Sequence, residues 1–335
     1  MKILITGGCG FIGSNFIRHI LAAYPDYRII NLDALTYAGN PENLRDVNGN
    51  PRYSFVRGKI EDASLLRELL RGVDAVIHFA AESHVDRSIL DAQPFLMTNI
   101  IGTYTMLEAA KQASVRRFIH ISTDEVYGAL GEDGKFTEDT PLLPNSPYAA
   151  SKASGDMLVR AYHETFGFPS IIIRPSNNYG PYQFPEKLIP LMITNLFEGR
   201  PVPVYGEGMN VRDWLYVEDN CRAIDVILHQ GKEGEIYNVG GNAEERNIEI
   251  VRKVLAILGK DDSHITFVKD RPGHDYRYAL DNAKISRELG WKPSVDITSG
   301  LQKTIQWYRN NEWWWRPLKE RLSAESKGFW EEKGR

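Results

Sequence analysis

Cysteine is scarce in this sequence: 335 residues include only Cys9 and Cys221, far apart along the chain. Two such thiols cannot build a disulfide framework, so both are expected to be free in a reducing compartment. Long apolar runs are missing too. None approaches the roughly 18 to 20 residues that span a bilayer, which excludes the usual helical membrane protein. There is no surplus of positive charge, since 40 Lys and Arg stand against 44 Asp and Glu for a formal net charge of −4. Nucleic-acid binding through bulk charge is thereby disfavoured. No repeat or low-complexity linker stands out, and no Cys/His spacing suggests a metal. The opening Met1-Lys2-Ile3-Leu4-Ile5-Thr6 enters a strand pattern without the h-region of a signal peptide. The expectation is a soluble cytoplasmic protein with no membrane, nucleic-acid or metal partner.

What is present is an ordinary globular composition, 42% hydrophobic and 25% charged, at a length suited to one large domain or two modest ones. Short β-rich runs over 2–6, 28–32, 54–57, 75–79, 118–121 and 170–173 alternate with helical patterns. In the first helix Ile12, Phe16, Ile17, Ile20 and Leu21 recur on one face. Strands apolar on both faces and separated by helices make βαβ units, hence a parallel sheet covered on both sides. The fold class expected is α/β: a Rossmann-like, doubly wound parallel sheet with a smaller C-terminal substrate-binding α/β domain. Proline becomes frequent from Pro175 onward (Pro181, Pro185, Pro190, Pro201, Pro203), placing a dinucleotide-binding domain at 1–174 and a mainly substrate-binding one at 175–335. The strand and helix pattern of 212–240 suggests that the chain returns there to the first domain. The Trp313-Trp314-Trp315 run reads as packing.

Between the first strand and the first helix lies Gly7-Gly8-Cys9-Gly10-Phe11-Ile12-Gly13, legible as GxxGxxG or GxGxxG. Glycine there permits a tight turn and brings backbone N–H groups against a pyrophosphate at the helix N-terminus. Twenty residues after Gly13, Asp33 ends the second strand, where an acid accepts from an adenosine ribose. A carboxylate there repels a 2′-phosphate, so NAD is expected rather than NADP.

Tyr148-Ala149-Ala150-Ser151-Lys152 places a phenol and an ammonium one helical turn apart. The neighbouring cation is expected to lower the phenol pKa, so that Tyr148 can take a proton from a sugar hydroxyl as hydride leaves the carbon. Upstream, Ser122-Thr123-Asp124-Glu125-Val126-Tyr127-Gly128 follows a strand that delivers Thr123 to the carboxyl end of the sheet, where doubly wound folds bind ligands. Two adjacent carboxylates can be driven to different pKa values, one a general acid and the other a base. Redox chemistry alone needs no such pair; elimination of water needs both.

These residues, with Asp33-Ala34-Leu35-Thr36-Tyr37, the 80–88 segment around Glu82-Ser83-His84, Ser176-Asn177-Asn178-Tyr179-Gly180-Pro181 and Asp270-Arg271-Pro272-Gly273-His274-Asp275, resemble the extended short-chain dehydrogenase/reductase family of nucleotide-sugar enzymes. The Thr-Asp-Glu string points within it to the dehydratases, because the related 4-epimerases usually carry Ser with small residues there. The resemblance implies NAD as cofactor and dehydration of dTDP-glucose to dTDP-4-dehydro-6-deoxyglucose, a step of dTDP-rhamnose or other deoxysugar synthesis. It implies catalytic roles for Thr123, Asp124, Glu125, Tyr148 and Lys152. Cofactor contacts are implied at Gly7, Gly10, Phe11, Ile12, Gly13, Asp33, Ala34, Leu35, Thr36, Lys59, Ile60, Ala80, Ala81, Ser83, Thr98, Tyr148, Lys152 and Asn178. Substrate contacts are implied at His84, Thr123, Asn177, Lys187 and Leu188, at Pro203 and Tyr205 beside the nucleobase, at Arg212 and Arg271 on the diphosphate, and at Asn247 and His274. One departure is Gly58-Lys59-Ile60, where family members commonly have Asp-Ile with the acid near the adenine. Family members are usually homodimers built on two helices per subunit, here the stretches 94–114 and 148–166. The alternatives are a nucleotide-sugar 4-epimerase, a dehydratase acting on a UDP-sugar, and a non-catalytic dinucleotide sensor on the same fold.

Overall fold

The computed structural model describes residues 1–270 and 273–332. The chain begins with β1 (Lys2–Thr6), α1 (Phe11–Ala23), β2 (Arg28–Asp33), β3 (Tyr53–Arg57), α2 (Ala63–Leu69) and β4 (Ala75–His78). A short α3 (Val85–Leu90) precedes α4 (Gln93–Phe95), which runs through a π-helical stretch, Leu96–Gly102, into α5 (Thr103–Gln112). Then come β5 (Arg117–Ile121), a 3-10 turn at Asp124–Tyr127, α6 (Pro147–Phe166) and β6 (Ser170–Pro175). The remainder holds β7 (Asn177–Tyr179), α7 (Leu188–Phe197), β8 (Val202–Tyr205), β9 (Val211–Tyr216), α8 (Val217–Gln230), β10 (Ile236–Val239), β11 (Glu244–Arg246) and α9 (Asn247–Ile257). It closes with β12 (Ile265–Val268), α10 (Ala283–Leu289), α11 (Ile297–Asn310) and α12 (Glu312–Glu332).

Seven strands form one sheet in the order β10-β6-β5-β4-β1-β2-β3, and every pairing in it is parallel. The order reverses between β1 and β4, so the carboxyl ends of these two strands part and open a crevice, the switch point of a doubly wound sheet. Apolar layers cover both faces. One contains Ile3, Ile5, Phe16, Ile77, Ile119, Ile171 and the α8 residues Ile224 and Ile227; the other contains Leu4, Val76, Leu107, Phe118 and Ile172. Each of the six expected strands is present within two residues of its expected bounds, and the α/β class with its parallel central sheet is as the sequence implied.

The chain comes back to this sheet through α8, packed on α1, and through β10, paired with β6. Val211–Tyr216, by contrast, pairs with β7 and β11 in a separate three-stranded sheet. That sheet, the β8–β12 pair and helices α7, α9 and α11 enclose a second core around Tyr179, Met192, Trp214, Ile250 and Tyr308. Trp314 and Trp315 are buried in this core, whereas Trp313 is exposed; two of the three tryptophans therefore pack as expected.

Candidate active site

The glycine turn is shaped by close approach of backbone. Gly7 sits at φ +70°, and a Cβ there would stand 2.7 Å from Ala80 N; one on Gly13 would stand 2.6 Å from Gly7 O. Both positions thus exclude a side chain, which keeps the turn tight and α1 close to β1. Gly10 caps α1 with no side-chain hydrogen bond, so the first-turn N–H groups are left for an anion, and the helix dipole favours one. Asp33 is buried at the end of β2. It accepts from Cys9 N–H and Leu35 N–H, each at 2.8 Å; burial pushes its carboxyl pKa up while those two donors oppose the rise. This cradle fits a pyrophosphate and ribose.

A cavity of about 620 Å³ runs from this turn to the end of β5. Gly7, Gly10, Phe11, Ile12, Gly13, Asp33, Ala34 and Thr36 line its first part, and Lys59, Ile60, Ala80, Ala81, Ser83, Thr98, Tyr148, Lys152 and Lys187 the rest. Two expected cofactor residues lie elsewhere. The Leu35 side chain packs on the core beneath the turn, so only its N–H serves the site, through Asp33. Asn178 is turned inward, donating to Ser176 O at 2.9 Å and accepting from Asn220 Nδ2 at 2.8 Å, and does not line the cavity. The sequence reasoning passed over Glu61, Glu82 and Glu186, which do line it. Glu61 lines the same wall as Lys59, with Thr98 Oγ1 at 3.4 Å from its Oε1, so an acid is present there, although it is two residues beyond the position where the family pattern has its Asp.

Helix α6 presents Tyr148, Lys152 and Asp156 at i, i+4 and i+8, all buried. Lys152 Nζ donates to Ile121 O at 2.7 Å, pinning the helix to the end of β5. Burial pushes the Lys152 pKa down to about 8, opposed by Asp156. The Tyr148 phenol is hydrogen-bonded with Thr123, and burial followed by the charge of Glu125 pushes its pKa up. The expectation of a depressed phenol pKa is thus corrected for the protein alone: burial and then Glu125 raise it, and the Lys152 ammonium donates to a backbone carbonyl.

Thr123 caps the 3-10 turn, its Oγ1 accepting from Glu125 N–H at 3.3 Å. Asp124 is fully buried, and its Oδ2 finds no hydrogen-bond partner. Burial, then the charges of Glu125 and Asp213, raise its pKa well above the carboxylate range, while Arg212 opposes them. Glu125 is only half-buried. The environment therefore favours the protonated form of Asp124, the form a general acid needs. Asp213, which the sequence reading missed, accepts from Gly241 N–H and Ala243 N–H at 2.9 and 2.8 Å, and burial raises its pKa to about 6.

Among the expected substrate residues that are described, only Lys187 lines the cavity, its Nζ donating to Ser83 O at 3.3 Å. Arg212 is buried against the Tyr278 ring at 4.4 Å and donates to Asp275 O at 3.1 Å. His274 meets the edge of Tyr205 and pairs with Asp270 at 2.6 Å. Pro203 lies beside Tyr205 on β8, Leu188 opens α7, and Asn247 opens α9. Asn177 and Asn247 each bury an Oδ1 without a partner. His84 caps α3 and stands 3.6 Å from Glu186. Arg271 lies outside the described residues. Among the described residues no group of three or more His, Cys, Asp or Glu side chains could hold a metal, and no helix is long and apolar enough to cross a membrane.

A doubly wound sheet with a glycine turn at its switch point and a Tyr-Lys couple beside an acid pair defines the nucleotide-sugar class of the extended short-chain dehydrogenase/reductases. A family model described as GDP-mannose 4,6 dehydratase matches residues 4–304, and the chain belongs to that family. It is 53% identical to the dTDP-glucose 4,6-dehydratase of Neisseria meningitidis serogroup B, over 94% of this chain and 95% of that one. The crystal structure of DesIV, a dTDP-glucose 4,6-dehydratase of Streptomyces venezuelae with NAD bound, superposes with a TM-score of 0.93 at 55% identity, covering 95% of this chain and 100% of that one. A UDP-glucuronic acid 4-epimerase of Bacillus cereus, in complex with UDP-glucuronic acid and NAD, is more distant: 32% identity and a TM-score of 0.88, over 92% of this chain and 99% of the other.

Proposed function

We propose that this chain is a dTDP-glucose 4,6-dehydratase, a hydro-lyase that converts dTDP-glucose to dTDP-4-dehydro-6-deoxyglucose and water with NAD regenerated in each cycle. The observation that carries the reading is the acid pair. Asp124 and Glu125 directly follow Thr123, which is hydrogen-bonded with the Tyr148 phenol, and Asp124 is buried and kept protonated, a division of labour that an epimerase does not need. The identity to dTDP-glucose 4,6-dehydratases over nearly the whole chain supports the same substrate.

The glycine turn, Asp33 and the cavity wall would hold NAD. When bound, it accepts hydride from C4, later returns it to C6, and adds a positive charge that the Tyr148 phenol otherwise lacks. Tyr148, oriented by its hydrogen bond with Thr123, takes the C4 hydroxyl proton. Lys152 holds the end of β5 through the Ile121 carbonyl, and its ammonium, one helical turn from Tyr148, would favour the phenolate once NAD adds its charge. The new C4 ketone acidifies the C5 proton, which Glu125 removes, while Asp124 protonates the departing C6 hydroxyl; when hydride comes back to C6, Glu125 returns the proton to C5. Asn177, Lys187, Arg212 and Arg271 would hold the sugar and diphosphate, and Tyr205 would offer a face to the base.

We further propose a cytoplasmic homodimer. Leu96, Ile101 and Tyr104 on the 93–112 helix and Met157 on α6 are exposed, an apolar face on the two helices through which the resemblance implies pairing. The product would feed deoxysugar synthesis, dTDP-rhamnose among the outcomes.

The test is incubation with dTDP-glucose deuterated at C4. Deuterium at C6 of a 4-keto-6-deoxy product, with no net NADH, is the expected result. A galacto-configured sugar with the label still at C4 would make the chain an epimerase and remove the roles given to Asp124 and Glu125.

A further inference from the structure

A buried polar chain runs beneath the site from α6 to the acid-bearing turn. Arg174, on β6, donates through Nε to Asp156 Oδ2 and through Nη1 to the Tyr127 hydroxyl, each at 2.8 Å. The Tyr127 hydroxyl donates onward to Asn238 Oδ1 of β10 at 2.8 Å. His120 Nε2 stands 3.4 Å from Asp156 Oδ1. The Arg174 guanidinium also lies 4.7 Å from the Tyr127 ring centre, and that ring stacks on Phe136 at 4.9 Å. All of these polar groups are buried. Such a network is costly to desolvate and stabilises only when every member is placed, so it fixes geometry more than it adds stability.

Its two ends explain what it fixes. Asp156 is one turn beyond Lys152 on the face that carries Tyr148. Tyr127 is the last residue of the four-residue turn whose first two are Asp124 and Glu125. That turn is only four residues long; its N-terminal cap, from Glu125 N–H to Thr123, is long at 3.3 Å, and its other backbone bonds, Gly128 N–H to Glu125 O at 3.2 Å and Leu143 N–H to Val126 O at 3.1 Å, tie it only to neighbouring loop. Tyr148 and Lys152, in contrast, are held by a 20-residue helix and by the Ile121 carbonyl.

We propose that Arg174 and Tyr127 are positioning residues for the elimination half of the reaction: the Asp156–Arg174–Tyr127 bridge sets the acid pair against the Tyr148–Lys152 couple. The inference rests on the dehydratase reading given above. Loss of the bridge frees the turn, so proton removal from C5 slows while oxidation at C4 proceeds.

The experiment uses two separate assays. In the first, purified dTDP-4-dehydro-6-deoxyglucose is incubated with enzyme in D2O and exchange at C5 is followed by NMR. This step takes the C5 proton to an enolate and returns a deuteron without any hydride transfer. In the second, NADH formation in the first turnover of dTDP-glucose reports C4 oxidation. Tyr127→Phe, which keeps the ring on Phe136 but removes the hydroxyl, is expected to slow C5 exchange at least tenfold and to leave C4 oxidation within threefold. Arg174→Lys is read in the same way if Tyr127→Phe does not fold. Equal slowing of both steps, or no change in exchange, overturns the proposal. A wild-type protein that neither makes nor exchanges the keto sugar instead overturns the dehydratase reading.

Discussion

Replacing Tyr148 by Phe removes one oxygen from a buried site and leaves the cavity wall otherwise intact. Turnover is expected to fall at least about 100-fold, the low end for loss of a general base, while NAD affinity measured by calorimetry stays within about twofold. A comparable loss of NAD binding would make Tyr148 a cofactor anchor instead. Lys152 yields a pH prediction. Its folded-state pKa is near 8 against 10.5 for the free side chain, so the ammonium discharges as pH rises through about 8, and kcat/KM is expected to decline there. The sign for stability is opposite. The unfolded chain binds more protons between about pH 8 and 10.5, so Lys152 contributes rising stability across that window, visible as a difference between wild type and Lys152→Met in denaturant titrations. At this scale the side chains proposed for catalysis could be singled out because their spacing is local. The direction of the Tyr148 shift was not, since it depends first on burial in the folded core and then on Glu125, 23 positions away in sequence. Arg174 and Asp156 were invisible for the same reason: partners 18 and 47 residues apart meet only in the folded core.

At the scale of elements, the glycine turn and the start of α6 are the sensitive points. Gly13→Ala would drive a Cβ within 2.6 Å of Gly7 O and 2.8 Å of Gly8 Cα, both backbone. A cost of about 1 to 3 kcal/mol and a weakened NAD site are expected, read as a lower Tm and a higher Kd. Ser146 caps α6, its Oγ accepting from Ala149 N–H at 3.1 Å. Ser146→Ala should cost about 1 kcal/mol and reduce kcat more than it raises KM, because Tyr148 lies in the first turn. Six of the seven strands of the main sheet were readable as apolar runs bounded by polar residues. The small sheet was not: β7 and β11 have three residues each, too few for a period of two to register. Nor does the sequence announce the π-helical stretch at Leu96–Gly102, which places Thr98 at the cavity wall.

Over the whole molecule, the exposed apolar face formed by Leu96, Ile101, Tyr104 and Met157 predicts the assembly. Tyr104→Glu with Met157→Glu should convert a dimer to a monomer in sedimentation velocity, and a wild-type monomer would remove the homodimer from the proposal. The order of strands also governs how the chain can be made. β6, with Ile171, Ile172 and Ile173 fully or nearly buried, is covered on its outer edge only by β10. Some sixty residues, which include β7, α7, β8, β9 and α8, must be synthesised between the two. Until β10 emerges, an apolar strand with unpaired N–H and C=O groups waits at the edge of a finished half-sheet, a template for any other extended chain. Closing the sheet requires a pairing of high sequence separation, which is slow. The hazard for this protein therefore falls during biosynthesis: crowded ribosomes, low chaperone supply or a truncation before residue 236 should divert it to aggregates, although the completed fold leaves no such edge at β6.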